Sequence, residues 1–205
     1  MADSARDPRP PTAVHITKDS GVRSRVDEFR KKHRTSLLTL LFTDLVGSTQ
    51  LKQTRGDQEA VALMQANASC VRELLASVPE AQEISTAGDQ FFCIFVRPSD
   101  AAAFALKLQA AMRKDYAPVG LTMRIGIHLG EVVIEERPDE RKPMDLFGLQ
   151  VDTAARVMSL AEGGQILCTR AVFDNARQVL KGRDISGLGS LSWHTHGPYE
   201  IKGLD

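Results

Sequence analysis

Residues 37–51 read "LLTLLFTDLVGSTQL", and their pattern decides the fold. A Leu-rich run over about 37–43, closed by the turn at Gly47, predicts a buried strand. A lone carboxylate, Asp44, follows the run at once, and Gly47, Ser48 and Thr49 then turn the chain toward a helix. In isolation Asp44 suits a helix N-cap. The Gly-bearing turn beside it gives a second reading, because such a turn presents backbone N–H groups to anionic oxygens.

Downstream, Val61, Met64, Ala68, Val71 and Leu75 recur at three- and four-residue intervals and predict a helix over about 57–77 that Pro79 stops. "AQEISTAG" and "QFFCIFV" predict two strands whose hairpin tip is Gly88 and Asp89. A second helix is expected over 99–114, N-capped by Ser99, with Ala102, Leu106 and Ala110 on one face. "LTMRIGIHLGEVVIEE" is expected to form two strands joined near Gly130. The order is β-α-β-β-α-β, an α+β ferredoxin-like core with both helices on one face of an antiparallel sheet. A C-terminal α/β extension follows: a helix in "GLQVDTAARVMSLAEGG", a strand at "QILCT", and one more in "GPYEIKGLD".

Composition sets the frame. The 205 residues, 42% hydrophobic and 25% charged, suit one buried core. Net charge is zero, but the first 36 residues hold nine Lys and Arg against five Asp and Glu, and the remainder 17 against 21. We read 1–35 as a disordered segment plus a short charged helix striped by Val22, Val26 and Phe29, and 36–205 as the globular domain. The domain carries no basic stripe interleaved with aromatics, which speaks against nucleic acid as partner. Three separated cysteines, 70, 93 and 168, fit buried thiols in a reducing compartment, the cytoplasm. No apolar run reaches the roughly 20 residues of a membrane span. His128 reads as a strand histidine, and His194 with His196 lack the further ligands a metal needs.

In a β-α-β-β-α-β sheet the first strand and the hairpin lie side by side, so Asp44 and Asp89 converge. Two such carboxylates suit Mg²⁺ or Mn²⁺. At this point the chain resembles the class III nucleotidyl cyclases, the adenylate and guanylate cyclase catalytic domains, over about residues 36–204. "FTDLVGST", "TAGDQFF", "RIGIHLGEV", "DLFGLQVDTAARV" and "YEIKG" match that family's motifs in order.

The resemblance implies attack of a nucleoside triphosphate's 3′-oxygen on its α-phosphorus, with pyrophosphate leaving. It implies two divalent metal ions held by Asp44, Asp89 and the backbone carbonyl of Leu45. The turn of Gly47, Ser48 and Thr49 would cradle phosphate, Arg156 would stabilise charge on the α-phosphate, and Lys202 would bind the triphosphate. It further implies a head-to-tail homodimer with composite active sites, and further domains in the parent protein.

The chain departs from the family pattern in two places. Ser85 stands where adenylate cyclases usually carry an adenine-reading Lys, although Asp145 keeps the partner acid ahead of Gly148. Asp152 stands where an Asn usually orients the ribose; it has no amide donors and adds a charge. ATP is favoured over GTP, with a pyrimidine triphosphate as an alternative. A rival reading is a degenerate cyclase-homology module that binds nucleotide or dimerises to regulate attached domains. A polymerase-like nucleotidyl transferase would share the metal site but would not require "QVDTAARV".

Overall fold

A twelve-residue strand, β1 (Thr35–Val46), carries Asp44 near its end and is buried along its second half. The computed structural model describes residues 34–136, 144–185, 188–189 and 191–200. The helix expected near 21–34, up to residue 33, and the expected site residue Lys202 lie outside them. Gly47 then begins helix α1 (Ser48–Arg55) with φ of 97°, and a Cβ there would meet the carbonyl oxygen of Gly120 at 2.5 Å. Only glycine satisfies both the left-handed backbone and the close approach. The long helix is α2 (Asp57–Ala76), followed by β2 (Ala81–Ala87) and β3 (Gln90–Phe95). Helix α3 (Pro98–Ala111) leads through a short π-turn into β4 (Thr122–Glu136), β5 (Met144–Phe147) and helix α4 (Leu149–Leu160). Strand β6 (Ile166–Cys168) and helix α5 (Arg170–Leu180) complete the elements.

The sheet runs β2-β3-β1-β4-β5, every pair antiparallel, with β6 added parallel to β4. This is the expected core, and α2 and α3 do share a face. Leu41, Leu45, Phe91, Phe95, Ile125 and Ile127 meet Val71, Phe104 and Leu108 there. The opposite face buries Leu40, Phe42, Ile84, Phe92 and Leu146 against Ala154 and Met158 of α4. Phe42 and Phe92, a register pair, stack at 4.3 Å with ring planes 3° apart. The edge strands β2 and β5 come within 8 Å of one another, so the sheet coils around this second core.

Several expectations are corrected. "LTMRIGIHLGEVVIEE" is one continuous strand, not two joined at Gly130. It pairs with β1 through twelve positions. Gly130 is there because a Cβ would collide with Gln150 of α4, just as one at Gly126 would collide with the backbone of Met158. Two glycines on one face of β4 seat the helix. Ser99 is not the N-cap of α3; Arg97 is, with Pro98 in the first turn, where its fixed φ suits the helix and its missing N–H is not needed. Ala102 and Leu106 do lie on one face of α3, but that face packs on Ala176 and Leu180 of α5, a helix absent from the sequence expectation. Val61 is 46% exposed, while its neighbour Ala60 is fully buried. Residues 197–200 form no strand; the rest of that expected strand lies outside the described residues.

Candidate active site

Strand register brings the two acids together. Thr43 pairs with Phe91, so Asp44 extends from β1 just where β3 begins and its turn holds Asp89. That turn is the two-residue Gly88–Asp89 connection, with Gly88 at φ 65° and Asp89 at negative φ, the pattern of a type II′ hairpin. Asp44 is also the direct register partner of Arg124 on β4. Both Arg124 donors reach one oxygen, Nη2 at 2.5 Å and Nε at 3.0 Å from Oδ2. Sequence reasoning passed over Arg124, because only the β1–β4 register reveals the pair.

An Asp44–Asp89 pair is a set of hard oxygen ligands of the kind Mg²⁺ and Mn²⁺ prefer, and Oδ1 of Asp44 is the oxygen that Arg124 does not engage. No third acid, histidine or cysteine joins them into a larger cluster among the described residues. Leu45 is buried, with its side chain in the α2/α3 core and its position in the β1–β4 ladder opposite Met123. Helix α1 starts at Ser48, and the first i→i−4 bond in it runs from Leu51 N–H to Gly47 C=O. The N–H groups of Ser48 and Thr49 therefore precede the helical ladder beside Asp44.

Ser85 sits at a β-bulge. Gln82 and Glu83 pair with Ile94 and Cys93, but the next partner of Phe92 is Ser85, with Ile84 the extra residue. The bulge turns Ser85 toward the Phe92 face, the one that carries Asp44. Asp145 lies on β5 opposite Glu135, and its Oδ1 accepts the N–H of Leu146 at 3.0 Å. Coiling of the sheet brings the strand of Ser85 and the strand of Asp145 together around Ile84 and Leu146. Asp44 and Asp145 flank β4 positions eleven residues apart. On α4, Asp152 is exposed and Arg156, one turn later, is half-buried.

His128 is structural. Its Nε2 lies 2.6 Å from Gln150 Oε1 and its Nδ1 3.1 Å from Thr169 Oγ1, tying β4 to α4 and to the start of α5. The cysteines are unpaired, Cys93 buried and the other two half-buried. Burial pushes the Cys93 thiol up to about 12 and that of Cys168 to about 11, so neither is a nucleophile near neutral pH. A cavity of about 740 Å³ lies away from the two acids, between α4, β6, α5 and residues 191–199, and contains His194 and His196.

Residues 30–203 match the family described as the adenylate and guanylate cyclase catalytic domain, and the chain belongs to that family. An uncharacterised protein of Mycobacterium tuberculosis is 35% identical over 173 residues, which cover 83% of this chain and 53% of that protein. An adenylate cyclase of Mycosarcoma maydis is 29% identical over 164 residues, 70% of this chain and 6% of that one. The chain thus spans about half the length of its mycobacterial relative. Among solved structures, an adenylate cyclase of Trypanosoma brucei in its monomeric state superposes with a TM-score of 0.67 at 24% identity, covering 82% of this chain and 85% of that one. The adenylyl cyclase CyaB of P. aeruginosa gives 0.64 at 20% identity, over 71% and 82% of the two chains. These likenesses establish the fold. No helix among the described residues is long and apolar enough to cross a membrane.

Proposed function

We propose that this domain is a metal-dependent nucleotidyl cyclase that converts a nucleoside triphosphate, ATP before GTP, into a 3′,5′-cyclic nucleotide and pyrophosphate. The observation that carries the reading is the placement of Asp44 and Asp89 at one end of adjacent strands, beside the opening turn of α1. Named adenylate cyclases among the relatives point the same way.

Asp44, Asp89 and the Leu45 carbonyl would hold two divalent ions, which supply charge neutralisation for the triphosphate and favour the 3′-alkoxide. Arg124 fixes the Asp44 carboxylate in one rotamer, aiming its second oxygen away from the ion pair. The N–H groups of Ser48 and Thr49 take phosphate oxygens. The 3′-oxygen loses its proton to solvent and bonds to the α-phosphorus while the bond to the β-phosphate oxygen breaks, and Arg156 stabilises the charge that gathers on the α-phosphate. Ser85 and Asp145 occupy the base-reading positions that the resemblance implies, Asp152 stands at the ribose position, and Lys202 takes the triphosphate.

Active sites shared between two copies of the chain are the arrangement that the family resemblance implies. The test is to incubate purified protein with Mn²⁺ and ATP, GTP, CTP or UTP and identify products by mass spectrometry, with Asp44→Ala and Asp89→Ala alongside. Expected is a cyclic monophosphate that neither variant makes. Nucleotide binding and dimerisation without any product would replace this reading with the regulatory module that Ser85 and Asp152 suggest.

A further inference from the structure

The bulge at Ile84 and Ser85 is held from behind. In a regular strand residues three apart face opposite sides, yet Thr86 Oγ1 donates to Glu83 Oε1 at 2.5 Å. That bond exists only because the extra residue returns Thr86 to the side of Glu83, so it selects the bulged register over the regular one. Arg72 of α2 completes the arrangement. Its Nε lies 2.8 Å from Glu83 Oε2 and its Nη2 3.0 Å from Oε1, a two-pronged pair, while its guanidinium stands 5.3 Å from the centroid of Phe91, the register partner of Thr86. Slipping to the regular register would place Ser85 opposite Phe91, on the α2/α3 side, and carry it away from the face that holds Asp44.

We propose that Arg72, Glu83 and Thr86 are positioning residues that fix the bulge and thereby set which base the site accepts. The proposal rests on the cyclase reading above and deepens it. Serine gives the reason the device matters here. A lysine at this position reaches a base through several torsions and can absorb a shift of its strand. The serine hydroxyl sits one torsion from the backbone, so any displacement of the bulge is passed undiminished to the hydrogen bond. None of the three residues touches the nucleotide.

The experiment compares kcat/KM for ATP and for GTP in wild type, Thr86→Val, Glu83→Gln and Arg72→Met, with Thr86→Ser as the conservative variant and Arg97→Met as an unrelated ion-pair control. Thr86→Val keeps the shape and removes only the hydroxyl. We expect the ratio of the two kcat/KM values to move about fivefold or more in the first three variants. Thr86→Ser and Arg97→Met should keep the wild-type ratio, and the Mn²⁺ dependence should stay unchanged throughout. Equal losses for both nucleotides, or none, would overturn the proposal and leave the trio a purely structural brace. A wild type without turnover would defeat the cyclase reading alone. The clamp is then judged by amide hydrogen exchange at Ser85 and by competition of ATP and GTP for binding, where unchanged values in Thr86→Val would overturn it.

Discussion

The two faces of the sheet are built to different ends. On one, α2 and α3 close over Phe91, Phe95, Phe104 and Leu108, each at most 1% exposed, and α5 backs α3 from outside. On the other, α4 alone is seated on Gly126 and Gly130, and the acids and Ser85 stand at that face's margin. Polar groups left under the first face are few, the hydroxyls of Thr39 and Thr43 and the Asn67 carbonyl oxygen lacking partners there. The contrast shows a division of labour. Burial on the closed face supplies stability, and the open face can then carry charge that would be costly inside.

Four changes test that division. Phe104→Ala empties a fully buried site and should cost about 3–5 kcal/mol in denaturant unfolding, while the folded fraction keeps its kcat. A fall in kcat would show that the two faces are coupled. Arg156→Ala should do the reverse, lowering cyclase turnover on the order of 10²–10³-fold with the melting temperature nearly unchanged. Arg124→Met should reduce activity by about 10–100-fold, because Asp44 loses its orienting partner; titrating Mn²⁺ should show a weakened metal dependence.

The smallest effect concerns pH. Hydrogen bonding to Arg72 holds Glu83 below its ordinary 4.5, with Thr86 adding to the effect against desolvation. A carboxylate depressed in the folded state stabilises above its unfolded pKa and loses that stabilisation as pH falls through the folded value. Glu83→Gln should therefore melt slightly lower than wild type at pH 7. The difference should narrow as pH falls below the ordinary 4.5 and close once Glu83 is protonated in the folded state, and a gap that stays constant would mean the pair contributes nothing through charge.

What the sequence disclosed follows from how local each signal is. Strand β1, the Gly88–Asp89 turn and α2 are each set by neighbouring residues, and each was legible. Gly130 misled because glycine serves a turn and a close helix contact equally well. Helix α5 did carry a local signal, with Val172, Phe173, Ala176 and Leu180 at helical spacing and charges on the opposite face, but it lies beyond the family core on which the reading was centred. In the candidate site, both metal-type acids could be placed, since they end and begin adjacent strands. Arg124 and the bulge at Ser85 could not, because both are properties of pairing between strands. The position of Ser99 was lost to a neighbour, Pro98, whose preference for the first turn outranks a serine cap.

The glycine seat also acts as a length gauge. Gly126 and Gly130 lie about 13 Å apart along β4, and their contacts Met158 and Gln150 about 12 Å apart along α4, so strand and helix agree in step. One residue inserted between the glycines would send the second to the wrong side of the strand. Two would restore the side but add about 6.6 Å, some 4.4 helical residues, and rotate the next helix contact by roughly 80° past a full turn. No small insertion or deletion keeps both the seat and the heading of Asp152 and Arg156. Chain-length variation in this domain must therefore fall outside "GIHLG".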